Sequence, residues 1–249
     1  MSLPERLRIR YTKTGRIRYT SQRDVARAWE RALRRARLPV AYSEGFSPRP
    51  LLAFSLALPT GCESEAEYAD IRLVPNGDEQ ERSAEEIGEE LGNLLPDGLD
   101  VVIARPLGSS GGSLQEEVTL CSWILEVTGM SAQQGAERVD HLLGAAHIPI
   151  ERERKGRKVS DDLRPSVLQL SVEGPGSRAG SVRLLAELAT KPRGVRPGEL
   201  LSALDPTVRL AHASRQAQFI EFEGKRFEPL DQEGRLFSVA RQSAAKVSP

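Results

Sequence analysis

The segment "LRIRYTK" near the N-terminus alternates apolar and basic positions, with Leu7, Ile9 and Tyr11 on one side and Arg8 and Arg10 on the other. A period of two is the signature of a strand with unlike faces. The following "TGRIRYT" resumes the alternation at Ile17 and Tyr19 after Thr14-Gly15, which predicts a strand or tight hairpin. At "SQRDVARAWERALRRARL" the period lengthens. Val25, Ala28, Trp29, Ala32, Leu33 and Ala36 follow helical spacing, Ser21 is a suitable N-cap with Asp24 three residues on, and Pro39 ends the run. Two extended runs follow, "LLAFSLAL" and "AEYADIRLV", then a helix from about Ser83 to Leu95 with an acidic exterior, and a strand "LDVVIARPL". The order is strand, helix, strand, strand, helix, strand.

After "GSSGGS" the order recurs: a strand in "TLCSWILEVTG", a helix in "SAQQGAERVDHLLGAAH", and paired strands in "RPSVLQLSVEG" and "SVRLLAELAT". A short helix in "RPGELLSAL" and a strand or hairpin in "TVRLAHASRQAQFIEF" complete it. The expected fold is α+β, with two ferredoxin-like (βαββαβ) halves in tandem, antiparallel sheets carrying their helices on one face and leaving the other face available. The expected boundaries are 1–107 for the first half, 108–117 for a Gly/Ser linker, 118–222 for the second half and 223–249 for a frayed tail of weak periodicity.

Composition narrows the function classes. A chain of 249 residues with 39% hydrophobic content can bury a substantial core. No apolar window is long enough to span a membrane, and "MSLPERLRIRYT" turns charged where a signal peptide needs its apolar run, so the expected location is cytoplasmic. Cys62 and Cys121 are far apart and form no C-x-x-C pair. His141, His147 and His212 lack spacing for a shared metal on one helix face. No nucleophile elbow, phosphate-binding loop, dinucleotide fingerprint or zinc-protease motif occurs, so no catalytic residue is nominated and no metal site is expected. Hydrolysis by carboxylates alone needs no visible signature, which keeps an independent enzyme among the readings.

The formal net charge is zero, but its distribution is lopsided. Residues 1–50 hold thirteen Lys and Arg against four Asp and Glu, whereas residues 51–100 hold two against thirteen. Such asymmetry favours oriented partner binding. The candidate RNA or partner-binding residues are Arg16, Arg18, Tyr19, Arg27, Arg31, Arg34, Phe46 and Arg49 in the first half, and Arg154, Lys155 and Arg157 around Gly156 in the second. Arginine offers a bidentate fork to phosphate, and exposed aromatic rings stack on unpaired bases. In "YSEGFSPRPLL", Pro48 and Pro50 flank Arg49 and favour an extended edge segment that presents Arg49 and Phe46. Glu63, Glu65, Glu67 and Asp70 form an expected acidic edge, open to a basic partner or to intramolecular counter-charge.

The block "RIRYTSQRDVARAWERALRRARLPVAYSEGFSPRPLLAFSLALPTGCESEAEYADI", with weaker matches in "DDLRPSVLQL", "RPGELLSAL" and "SRQAQF", resembles the radical SAM-linked proteins of the DUF2344 type. The resemblance spans most of residues 6–220. It implies a non-catalytic accessory protein that works beside a radical SAM protein, binding RNA or presenting a substrate for modification. It also implies that the [4Fe-4S] cluster and SAM belong to the partner, since this chain lacks the C-x-x-x-C-x-x-C that would hold the cluster. The alternative is a protein–protein docking module for the same partner without nucleic-acid contact.

Overall fold

The computed structural model describes residues 4–74, 82–108, 112–154 and 156–239. The chain divides into two compact units, one formed by residues 1–118 and 218–249 and the other by residues 119–217. Both are α+β with antiparallel strand pairing.

The first unit holds β1 (Arg6–Lys13), α1 (Gln22–Arg35), β2 (Leu52–Phe54), β3 (Glu63–Arg72), α2 (Ala84–Leu94), β4 (Val101–Pro106) and the short α3 (Leu114–Glu117). Its strands pair in the order β4-β1-β3-β2, each neighbour antiparallel. Burial explains the layering. Leu7, Ile9 and Tyr11 of β1 and Ala69 and Ile71 of β3 pack against Val25, Ala28, Trp29, Ala32 and Leu33 of α1 and Ile87 and Leu91 of α2. Trp29 meets Tyr11 edge to face at 5.1 Å. Gly88 lets α2 approach β4 closely, since a Cβ there would stand 2.8 Å from that of Ala104. Ser21 caps α1 by accepting from the Asp24 amide, while its hydroxyl donates to the Asp24 carboxylate. Ser83 and Glu86 form a full capping box on α2.

The second unit holds β5 (Leu120–Thr128), α4 (Ala132–Gly144), β6 (Pro149–Arg154), β7 (Arg157–Asp162), β8 (Val167–Pro175), β9 (Ser181–Ala189), α5 (Pro197–Leu204) and the first part of β10 (Arg209–Phe222). Its pairing order is β10-β5-β9-β8, with β6 and β7 forming a separate hairpin around Gly156 at φ +75°. The last residues of β10 belong to the first unit and pair there with β11 (Lys225–Phe227), Ile220 opposite Phe227.

Three expectations are corrected. The alternation after Gly15 does not make a returning strand: residues Gly15–Tyr19 wind into a 3-10 turn, with Gly15 at φ +67°. The Gly/Ser stretch 108–117 is not linker throughout, because Leu114–Glu117 is helical and Leu114 is buried against Ala66, Tyr68 and Leu230; residues 109–111 lie outside the described residues. Residues 223–239 are not a frayed tail. They carry β11 and then a strap with Leu230 and Phe237 buried and Phe237 stacked on Phe227 at 4.0 Å; residues 240–249 lie outside the described residues. Among the described residues, no helix is long and apolar enough to cross a membrane.

Candidate functional site

In the first unit, the helical face of the sheet builds a cationic ridge. Burying Val25, Trp29 and Leu33 turns the opposite side of α1 outward, and Arg23, Arg27, Arg31, Arg34 and Arg35 are all exposed there. Fourteen residues at about 1.5 Å each make a ridge of about 20 Å. Arg27 has a partner, Asp24 at 3.3 Å, one turn back. Arg23, Arg31, Arg34 and Arg35 have no ion-pair partner among the described residues. Arg34 and Arg35 also sit in the last turn, where the helix dipole favours positive charge. The exterior of α2 is acidic instead, with Glu85, Glu86 and Glu89 exposed, so the helical layer is electrically two-sided.

An aromatic group stands beyond each end of the ridge in sequence. Before α1, the 3-10 turn presents Arg16, exposed, and Tyr19, 63% exposed. Arg18 lies 4.8 Å from the Tyr19 ring centroid, donates to the Tyr19 hydroxyl at 2.9 Å and donates to Glu63 Oε1 at 2.6 Å. The Tyr19 hydroxyl and then Glu63 raise its pKa, so the cation is held firmly. After α1, the chain bridges Val40 to Leu73 and then forms the loop 42–50, closed by a Tyr42–Pro50 bridge and by the Arg49 amide donating to Ser43 Oγ. Phe46 is fully exposed at its tip, Tyr42 is 51% exposed, and Arg49 is exposed. The loop is tied across its base rather than extended, which corrects the edge-segment expectation; β2 begins only at Leu52.

The acidic edge is dispersed. Asp70 is buried and accepts from Arg8 Nε and Nη2 at 2.7 and 2.8 Å. Glu67 is buried opposite Tyr11, and Glu63 is taken up by Arg18 and by the Gly15 amide. Glu65 alone of the four is exposed. The basic side of β1 is equally enclosed. Arg8 is 0% and Arg10 2% exposed, because the strap 228–239 covers that face of the sheet. Arg8 Nη1 reaches the carbonyls of Pro229 and Phe237 at 3.5 and 3.4 Å, and Arg10 Nη1 donates to Glu228 at 2.8 Å and to the Leu230 carbonyl. The sheet face expected to be available is therefore occupied by the chain itself.

In the second unit, the predicted basic cluster lies at the tip of the β6–β7 hairpin, where Arg154 and Arg157 are register partners. Lys155 and the side chains of Arg154 and Arg157 lie outside the described residues. Cys62 and Cys121 are buried, one in each unit. Among the described residues, no group of three or more His, Cys, Asp or Glu is placed to hold a metal ion.

Residues 6–197 match the family described as an uncharacterized protein conserved in bacteria, DUF2344. The chain belongs to the DUF2344 family. No curated protein matches it. Among solved structures, a chain from a Cbf5-Nop10-Gar1 complex is similar with a TM-score of 0.43 at 8% identity, covering 85% of this DUF2344 chain and 48% of that one. The DUF2344 match takes in α1, its flanking turn and loop, and most of the second unit.

Proposed function

We propose that this DUF2344 protein is a non-catalytic accessory protein that binds single-stranded RNA along α1 and presents it to a radical SAM enzyme. The observation that carries the RNA reading is the α1 ridge, with four arginines that have no ion-pair partner among the described residues and exposed Tyr19 and Phe46 before and after it in sequence. Single-strand binders combine a cationic track for the backbone with aromatic platforms for bases, and this surface has both ingredients. The acidic exterior of α2 would repel a second pass of the strand. The radical SAM partner rests on the resemblance in sequence, and the cluster and SAM belong to that partner. We further read each unit as a ferredoxin-like βαββαβ module, supported by the element order and by strand orders of the same kind, β4-β1-β3-β2 and β10-β5-β9-β8. Docking through an acidic edge is the weaker reading, since Glu65 alone of that set is exposed.

The test is fluorescence anisotropy of a 3′-labelled single-stranded RNA across a salt series, comparing the parent with Arg27→Ala/Arg31→Ala/Arg34→Ala. Each neutralised phosphate contributes about 0.7 to the log–log salt slope on single strands, so the triple variant should flatten it by about 2. An unchanged slope rejects the α1 interface. Anaerobic affinity purification before and after nuclease treatment tests the partner: a radical SAM protein should co-purify, and its absence removes that part of the proposal.

A further inference from the structure

A groove of about 730 Å³ in the first unit follows β2 and reaches Gln22, the first residue of α1. Its volume lies within the usual range of about 300–1,000 Å³ for small-molecule sites. The charges in its lining are largely spent. Arg6 pairs with Asp70 at 3.8 Å, Asp70 also accepts from the buried Arg8, and Arg72 lies by the Leu52 end of β2, next to the residue that pairs with Leu52.

Toward Phe54 the lining is neutral and polar on an apolar wall. Phe54 is half-buried, and Ala53, Ala57 and Leu114 stand with it. Ser55, 2% exposed, accepts from Gln218 Nε2 at 3.0 Å, which leaves its own hydroxyl proton to donate. Gln115 of α3 reaches the Phe54 carbonyl at 3.5 Å, a contact too long to hold its amide firmly. With Gln22 it supplies side-chain amides that both donate and accept. An aromatic ring for the face of a base and amides for its edge are what proteins use to read a splayed-out nucleotide. Gln22 also immediately precedes Arg23, the first arginine of the ridge, so the groove and the cationic track meet at the start of α1.

We propose that this groove receives one unpaired base of the RNA strand held on α1, its face against Phe54 and its polar edge at Gln22, Gln115 and the Ser55 hydroxyl. The inference rests on the α1 reading, because an uncharged base is brought to the groove by the phosphates that flank it. Those phosphates stay on the arginines, and the base turns inward at the start of the helix. The substrate class is therefore RNA with an unstacked nucleotide; a continuous duplex, whose bases are paired, has none to offer.

The test uses the full chain and a 3′-labelled single-stranded RNA octamer, its anisotropy followed across a salt series, with 4-thiouridine placed at each position in turn for photocrosslinking. Gln22→Ala/Gln115→Ala should weaken binding about fivefold and keep the parent's log–log salt slope, because neutral contacts release no counterions. Phe54→Leu, which keeps an apolar side chain and removes the ring, should act in the same way. Gln22 is half-buried and Gln115 exposed, and circular dichroism verifies that the variants fold. The parent should crosslink within residues 52–57, and the glutamine double variant should lose that crosslink. The double variant should not alter binding of a fully paired duplex of the same sequence; an equal effect on the duplex overturns the proposal. If the octamer binds with a slope that Arg27→Ala/Arg31→Ala/Arg34→Ala flattens, but the glutamine variant matches the parent and no crosslink falls within 52–57, the groove is rejected and the ridge stands. No binding by the parent at about 50 mM salt rejects both.

Discussion

Replacing Asp70 by Ala strands a buried cation, and its cost follows from the geometry. Arg8 is fully buried and its two charge-assisted hydrogen bonds to Asp70 measure 2.7 and 2.8 Å. Its remaining contacts, to the Pro229 and Phe237 carbonyls at 3.5 and 3.4 Å, are long. Removing one partner of such a pair costs about 3–5 kcal/mol, mostly the desolvation of the charge left behind. With a urea dependence of about 2 kcal/mol per molar, the unfolding midpoint of the first unit should fall by about 1.5–2.5 M. The two tryptophans allow that unit to be watched by itself: Trp29 lies in the first and Trp123 in the second, so Trp29 fluorescence in a Trp123→Phe background reports the first unit. Arg8→Met/Asp70→Ala, which removes both charges and keeps an apolar stem, should recover much of the loss. A shift below about 0.5 M for Asp70→Ala, or strictly additive costs in the double-mutant cycle, would refute the view that the pair acts as a buried unit.

Two further outcomes follow from local geometry. Gly88→Ala should destabilise the first unit by about 1–3 kcal/mol despite a helix-propensity gain of about 1 kcal/mol, because the new Cβ meets Ala104 Cβ at 2.8 Å; adding Ala104→Gly should relieve it in urea melts. In the second unit, Asp162 accepts from the Ile148 amide, contacts His147 Nδ1 and accepts from the Arg164 amide, and its pKa falls from the ordinary 3.8 to about 2. A depressed carboxylate contributes stability that is complete above about pH 4 and is lost as pH falls toward 2. Carbonyl-detected NMR titration should place the Asp162 inflection near 2, and Asp162→Asn should remove that acid-side loss; an inflection near 3.8 contradicts the hydrogen-bonding account.

The legible parts of the sequence were those decided by near neighbours. The α1 period was unambiguous because Val25, Trp29 and Leu33 recur every four residues, and the same spacing carries Arg23, Arg27, Arg31 and Arg35 to the outside. Pro48 and Pro50 point to a rigid segment that presents Phe46, and Phe46 is exposed, although at the tip of a loop closed across its base and not along an extended edge. The misread parts were decided by distant ones. Alternation in β1 signals two unlike faces, but cannot say that residues 228–237 return to supply Glu228 and three backbone carbonyls to Arg8 and Arg10. The same enclosure hides Asp70, whose charge in a linear reading looks like surface. Arg6 and Arg72 lie 66 positions apart, and only strand register sets them face to face, which no local pattern in the sequence signals.

The noncontiguous make-up of the first unit sets an order of events during synthesis. Glu228, the carboxylate that Arg10 meets, emerges 218 residues after it, once the whole of the intervening unit has been made. At elongation rates of about 5–20 residues per second, that interval lasts about 10–40 s. Throughout it the basic side of β1 stands uncovered on the ribosome, and the first unit closes last although it is begun first.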